Sequence, residues 1–132
     1  MKEQVVALYP KVGVLVEAGN MKQAIEVIFE FIRSANRYFD EKRPWISINS
    51  EIEKCKETLA TCVYIIQNLA QLLQPFLPFA CAKMQQILGL TLNKWHEQAI
   101  LPTQLTNVQP LYERIDVKQI EEELAKLIKG QV

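Results

Sequence analysis

The segment from Ala35 to Trp45, ANRYFDEKRPW, gathers the residue types that hold an unstacked nucleotide. An aromatic face on which a base stacks contributes roughly 1–3 kcal/mol per base, and cations beside the ring neutralise phosphates. Trp45 offers the face, and Arg33, Arg37, Lys42 and Arg43 precede it closely. Pro44 fixes its own φ and disfavours the helical region for its predecessor. A helix running through this segment must therefore stop by about Arg43, with Arg43 pushed toward an extended conformation. Trp45 follows a forced exit. By residue type alone, Trp45 also fits a partly buried lid over a core, with Pro44 a plain helix terminator.

Little else in the chain suggests chemistry. No GxxxxGK[ST] or GxGxxG loop is present to cradle a phosphate, so no nucleotide cofactor is expected. His96 is the one histidine, and it has no nucleophile–base partner nearby. Glu121 to Glu123 read as the solvated first turn of a helix rather than as paired catalytic carboxylates. Cys55, Cys62 and Cys81 lie in apolar helical contexts without a CxxC pair, which predicts buried thiols in a reducing compartment and no metal site.

The 132 residues fit one domain with a real core. Fifteen basic residues balance fifteen acidic ones, so attraction to nucleic acid must come from local charge placement. There is no signal-peptide pattern and no apolar run of membrane-spanning length, so the expectation is a cytoplasmic, soluble protein.

The elements that must position the segment read as helices throughout. Val5, Tyr9, Val12 and Val16 predict a first helix, kinked or delayed by Pro10. Gly19 predicts its stop, and Asn20 with Gln23 a capping box for the second. That second helix runs from about Met21 toward Asp40, apolar on two sides, and is expected to be central. Ser50 with Glu53 predicts the cap of a third helix, whose seam is Ile52, Cys55, Leu59, Cys62, Ile66, Leu69 and Leu73. Pro75 and Pro78 break the chain, and Pro78 opens a helix ending near Gly89. Residues 90–115 form a long connection of the kind that often faces a partner. Asp116 with Gln119 caps a last helix ending in Lys126, Lys129 and Gly130. The expected fold is all-α, a single antiparallel bundle of four to five helices over residues 1–132. Trp95, beside Lys94 and His96, is expected to pack rather than project.

ANRYFDEKRPW resembles the helix-exit motif of the anticodon-binding domain of class I aminoacyl-tRNA synthetases, the methionyl-tRNA synthetase family in particular. Upstream, EAGNMKQAIEVIFEFIRSANRYFD is similar to that family's second bundle helix. Downstream, LLQPFLPFACAKMQQILGL resembles its proline-broken helix pair, and PLYERIDVKQIEEELAKL its closing C-terminal helix. The resemblance implies that Trp45 stacks on the first anticodon base and that Pro44 presents it. Asn36 and Tyr38 also match the motif. Asn36 is expected as a buried amide bonded to backbone rather than a base reader, and Tyr38 as core with its hydroxyl at an edge. For Arg37, Lys42 and Arg43 two roles stand open: contact with anticodon-loop phosphates, or solvated charge with i,i+4 partners such as Glu41.

The departures from the family pattern matter as much. The signature motifs of the family's catalytic half, HIGH and KMSKS, are absent, so this chain by itself should not activate an amino acid. The family also reads bases with an asparagine and an arginine four residues on. No Asn here is followed by Arg at that spacing, and the family's first helix is expected to be missing. Losing such a pair removes about 1–3 kcal/mol of discrimination, which predicts weak and poorly selective tRNA affinity. The resemblance thus implies a module supporting aminoacylation of methionine tRNA. The alternative is a non-catalytic interaction or dimerisation protein whose exposed apolar face is covered by a separate synthetase subunit or a second copy.

Overall fold

Residues 1–130 are described by a computed structural model of the protein; residues 131 and 132 lie outside the described residues. The helices are α1 (Lys2–Glu17), α2 (Met21–Lys42), the single-turn α3 (Pro44–Ser47), α4 (Ile52–Leu72), α5 (Pro78–Leu88) and α6 (Val117–Lys129). No strand occurs among the described residues.

α1 begins at Lys2 and runs through Pro10, so the proline does not delay it. An interior proline costs about 3 kcal/mol. Val5, Leu8, Tyr9 and Val12 are all buried on one side of this helix, each contributing roughly 1.5–3 kcal/mol, and together they outweigh that cost. Gly19, at φ 74°, ends the helix as expected. The N–H groups of Asn20 and Gly19 return to the carbonyls of Leu15 and Val16 at 2.8 and 3.0 Å. This tight turn makes α1 and α2 an antiparallel pair.

α1, α2 and α4 enclose a core of Val5, Val12, Ala24, Ile28, Ile65 and Leu72, with α5 adding Cys81. Pro78 opens α5, and Gly89 closes it at φ 63°. Asn20 occupies the N-cap of α2 without a side-chain bond. Ser50 does not cap α4. The turn after α3 continues until the Glu51 N–H meets the Ser47 carbonyl at 2.7 Å, which moves the N-cap to Glu51.

The face of α4 differs from the expected seam. Ile52, Leu59 and Ile66 are exposed, while Thr58, Tyr64, Gln67, Asn68 and Gln71 are buried beside Cys55, Ile65 and Leu72. For Tyr64, Gln67 and Asn68 the reason is the long connection, which brings Glu97 and Gln98 to α4, whereas Thr58 donates to the Lys54 carbonyl within the helix. The Asn68 carboxamide accepts from the Gln98 N–H at 2.8 Å and donates to the Gln98 carbonyl at 3.0 Å. It also accepts from the Tyr9 hydroxyl and donates to the Tyr64 carbonyl, both at 2.8 Å. Gln67 donates to the same Gln98 carbonyl at 2.5 Å. A buried amide with all four positions used is fully satisfied. Trp95 packs as expected: its N–H donates to the Tyr9 carbonyl at 3.0 Å, and its ring stands edge-on to Tyr9.

α6 is capped by Asp116, whose carboxylate accepts from the Lys118 N–H at 3.1 Å. It does not close the bundle. Ile120, Leu124 and Leu127 are exposed, and among the described residues no other helix packs closely along it. Lys126 pairs with Glu123 at 2.5 Å, and the side chain of Lys129 lies outside the described residues.

Candidate nucleic-acid interface

α2 ends at Lys42, and nothing but Arg43 separates it from α3. The Arg43 N–H closes α2 on the Phe39 carbonyl at 3.1 Å. The Arg43 carbonyl then opens α3 by accepting from Ile46 and Ser47 at 2.9 and 3.2 Å. One residue serving both ends must reverse the chain within itself. Arg43 therefore adopts the left-handed conformation, φ 44° and ψ 59°, rather than the extended one that the following proline suggested. Pro44 still excludes the right-handed region and takes the first position of α3, where its missing N–H costs nothing.

α3 is bolted to α4 through one carbonyl. Pro44 O accepts from the Ile48 N–H at 3.0 Å, the Ser47 hydroxyl at 3.4 Å and the Cys55 thiol at 3.5 Å. Pro44, Ser47 and Cys55 are all buried. With Pro44 and Ser47 turned inward, the intervening side chains must point out. The Trp45 ring is 53% exposed. Its inner side rests on Phe39, with ring centroids 5.5 Å apart and planes 58° apart. The indole is propped from one side and open on the other, an arrangement suited to a stacking partner.

Arg37, Lys42 and Arg43 are exposed, as is Arg33, and none forms an ion pair among the described residues. An Arg37–Glu41 bridge, one of the two roles left open for Arg37, is not made among the described residues. Lys42 leans over the half-buried Tyr38 ring, 5.7 Å from its centroid. Asn36 corrects the sequence expectation: it is exposed, not buried, and lies one turn before Phe39 on the same side of α2. The helix is central only through Ala24, Ile28 and Phe31, and beyond Phe31 no residue of α2 is fully buried.

The site contains no catalytic constellation, and among the described residues no cluster of His, Cys, Asp or Glu could hold a metal ion. Cys55 and Cys81 are buried as expected, whereas Cys62 is only half-buried; burial pushes the Cys81 thiol up to about 11 and raises that of Cys62. Sequence reasoning missed the role of Cys55 and Ser47 beneath the corner. Cys55 sits eleven residues from Pro44, and no local pattern links them.

Comparison with known proteins places the corner in a family. A methionine–tRNA ligase of Streptococcus pneumoniae (strain CGSP14) is 52% identical over 120 residues, covering 91% of this chain and 22% of that protein. One from Bacillus mycoides (strain KBAB4) is 48% identical over 127 residues, covering 96% of this chain and 23% of the ligase. The chain thus spans less than a quarter of these curated relatives. A solved structure, the apo form of Mycobacterium tuberculosis methionyl-tRNA synthetase, has the same fold, with a TM-score of 0.76 over 86% of this chain and 25% of that one, at 23% identity. Residues 3–127 match the family described as the anticodon binding domain of methionyl tRNA ligase, and this chain belongs to that family.

Proposed function

We propose that the chain binds the anticodon loop of methionine tRNA and so supports ATP-dependent aminoacylation carried out by a catalytic part that this sequence does not contain. The observation that carries the reading is Trp45, half-exposed on a buried proline corner and bordered by unpaired cations. Its open face receives an anticodon base, while Arg43, Lys42 and Arg37 neutralise loop phosphates. The absence of an Asn–Arg pair at four-residue spacing supports weak, poorly selective binding by this chain alone.

The test is a titration of methionine tRNA into the protein carrying Trp95→Phe, so that Trp45 is the sole indole. Emission is expected to change on binding, and the affinity, read for both proteins from the anisotropy of labelled tRNA, to fall at least tenfold in Trp45→Ala and steeply with salt. Equal, salt-insensitive affinity in both proteins would refute the reading.

A second reading, an interaction protein, is favoured by one feature. Val6, Pro10 and Val14 leave an open apolar groove of about 530 Å³ on α1, floored by Gly13 and Trp95. Such a groove suits an apolar segment of a partner subunit or a second copy. Sedimentation of the isolated chain tests it, since a strict monomer that binds no synthetase subunit would remove the support.

A further inference from the structure

The corner that exposes Trp45 exposes more than one apolar side chain. α3 and its cap continue in the right-handed helical region through Ile48, so Trp45 and Ile48 stand three residues apart on one side of the turn. Ile48 is 53% exposed, as exposed as Trp45, and Ile46 beside them is 52% exposed. The inward pair, Pro44 and Ser47, fixes this orientation through the shared Pro44 carbonyl. Three large apolar side chains thus stand about half exposed on one short turn, Trp45 resting on Phe39 and leaving its outer face bare. Charge indicates what covers them. The acids at the start of α4 are already paired, Glu51 with Lys54 at 2.7 Å and Glu53 with Lys56 at 2.8 Å. Lys42 and Arg43, which lead directly into the corner, are exposed and have no ion-pair partner among the described residues. An apolar shelf edged by free cations fits an anionic ligand with flat apolar faces.

We infer that Ile48 forms a second nucleobase subsite, holding the base next to the one stacked on Trp45, so that the corner takes two consecutive unstacked nucleotides. This inference rests on the RNA reading above and extends it along the strand. Trp45 contributes stacking, whereas Ile48 contributes apolar contact against a base face, the weaker of the two. The cations track the phosphates joining the two nucleotides.

The test uses the full chain and a short RNA hairpin carrying the methionine anticodon, with 2-aminopurine at each anticodon position in turn. Two adjacent positions are expected to change emission on binding. Trp45→Ala should abolish the response at one. Ile48→Ser should reduce the response at its neighbour and weaken binding about three- to fivefold, the expected size for half-buried aliphatic contact. Val14→Ser, an exposed apolar change on α1, controls for general loss of apolar surface, and thermal unfolding checks that each variant is folded. A folded Ile48→Ser protein that binds with unchanged affinity and unchanged emission at both positions overturns the second subsite while leaving the Trp45 reading intact. If Trp45→Ala also has no effect, the RNA reading itself fails, and the shelf belongs to a protein partner.

Discussion

The Cys55 thiol on α4 reaches the Pro44 carbonyl at 3.5 Å, tying the corner that carries Trp45 to the helix beneath it. Cys55 is a positioning residue, since it is buried and touches no ligand surface. Cys55→Ala is expected to cost about 1–2 kcal/mol through lost contact and a small void. It should also weaken tRNA binding several-fold at temperatures where the protein is fully folded. Fluorescence anisotropy of Trp45, measured well below the unfolding midpoint, distinguishes the two effects: a loosened corner lowers it, and a purely structural loss leaves it unchanged.

Arg43 occupies a conformation that glycine adopts without strain. Arg43→Gly is therefore expected to hold or raise stability, by up to about 1 kcal/mol, because the left-handed backbone is relieved of its side chain. The same change removes a cation, so tRNA affinity should fall and the slope of log affinity against log salt should shrink by about one phosphate contact. Opposite movements of stability and affinity mark a residue kept for its charge. Urea unfolding and salt titrations of the one variant measure both.

Asn68→Ala leaves the Tyr9 hydroxyl and the Gln98 N–H without their buried partner, while the Gln98 carbonyl keeps Gln67. The expected loss is about 2–4 kcal/mol. The corner lies at the other end of α4, so tRNA affinity of the folded fraction should hardly change. Chemical denaturation together with binding at low temperature checks both statements.

Alkaline pH should undo the same region. Burial chiefly, then the negative charges of Tyr64 and Glu97, holds the Tyr9 phenol protonated well above its ordinary range. Tyr64 is raised by burial first, then by its hydrogen bond to Glu97 and by that carboxylate's charge. The native state thus keeps two protons that the unfolded chain loses near pH 10. Their stabilisation is complete below about pH 10 and falls as pH rises beyond it. Urea midpoints at pH 9 and pH 11 should differ in that direction, and less so in Tyr9→Phe.

Much of this architecture is legible in the letters because its signals are local. Gly19, Pro44, Pro78, Gly89 and Asp116 all act where backbone rules place them. The burial of Gln67 and Asn68 is not legible, because their partners are backbone atoms of Gln98, which any residue there would supply, and Tyr64 finds its partner in Glu97, thirty-three residues on. The exposure of Trp45 follows from Pro44, but the frame beneath it depends on Cys55 arriving from another helix. Asn36 was misjudged because its apolar sequence neighbours suggested a core that, on α2, ends at Phe31.

α6 holds thirteen residues and, among the described residues, leans closely on no other helix. Segments of that size are marginal in water on their own, since few turns repay the nucleus. Its coil transition is therefore uncoupled from melting of the bundle. Far-ultraviolet ellipticity should decline gradually on warming before any cooperative step, and a near-ultraviolet signal from Trp95 should stay flat over that interval.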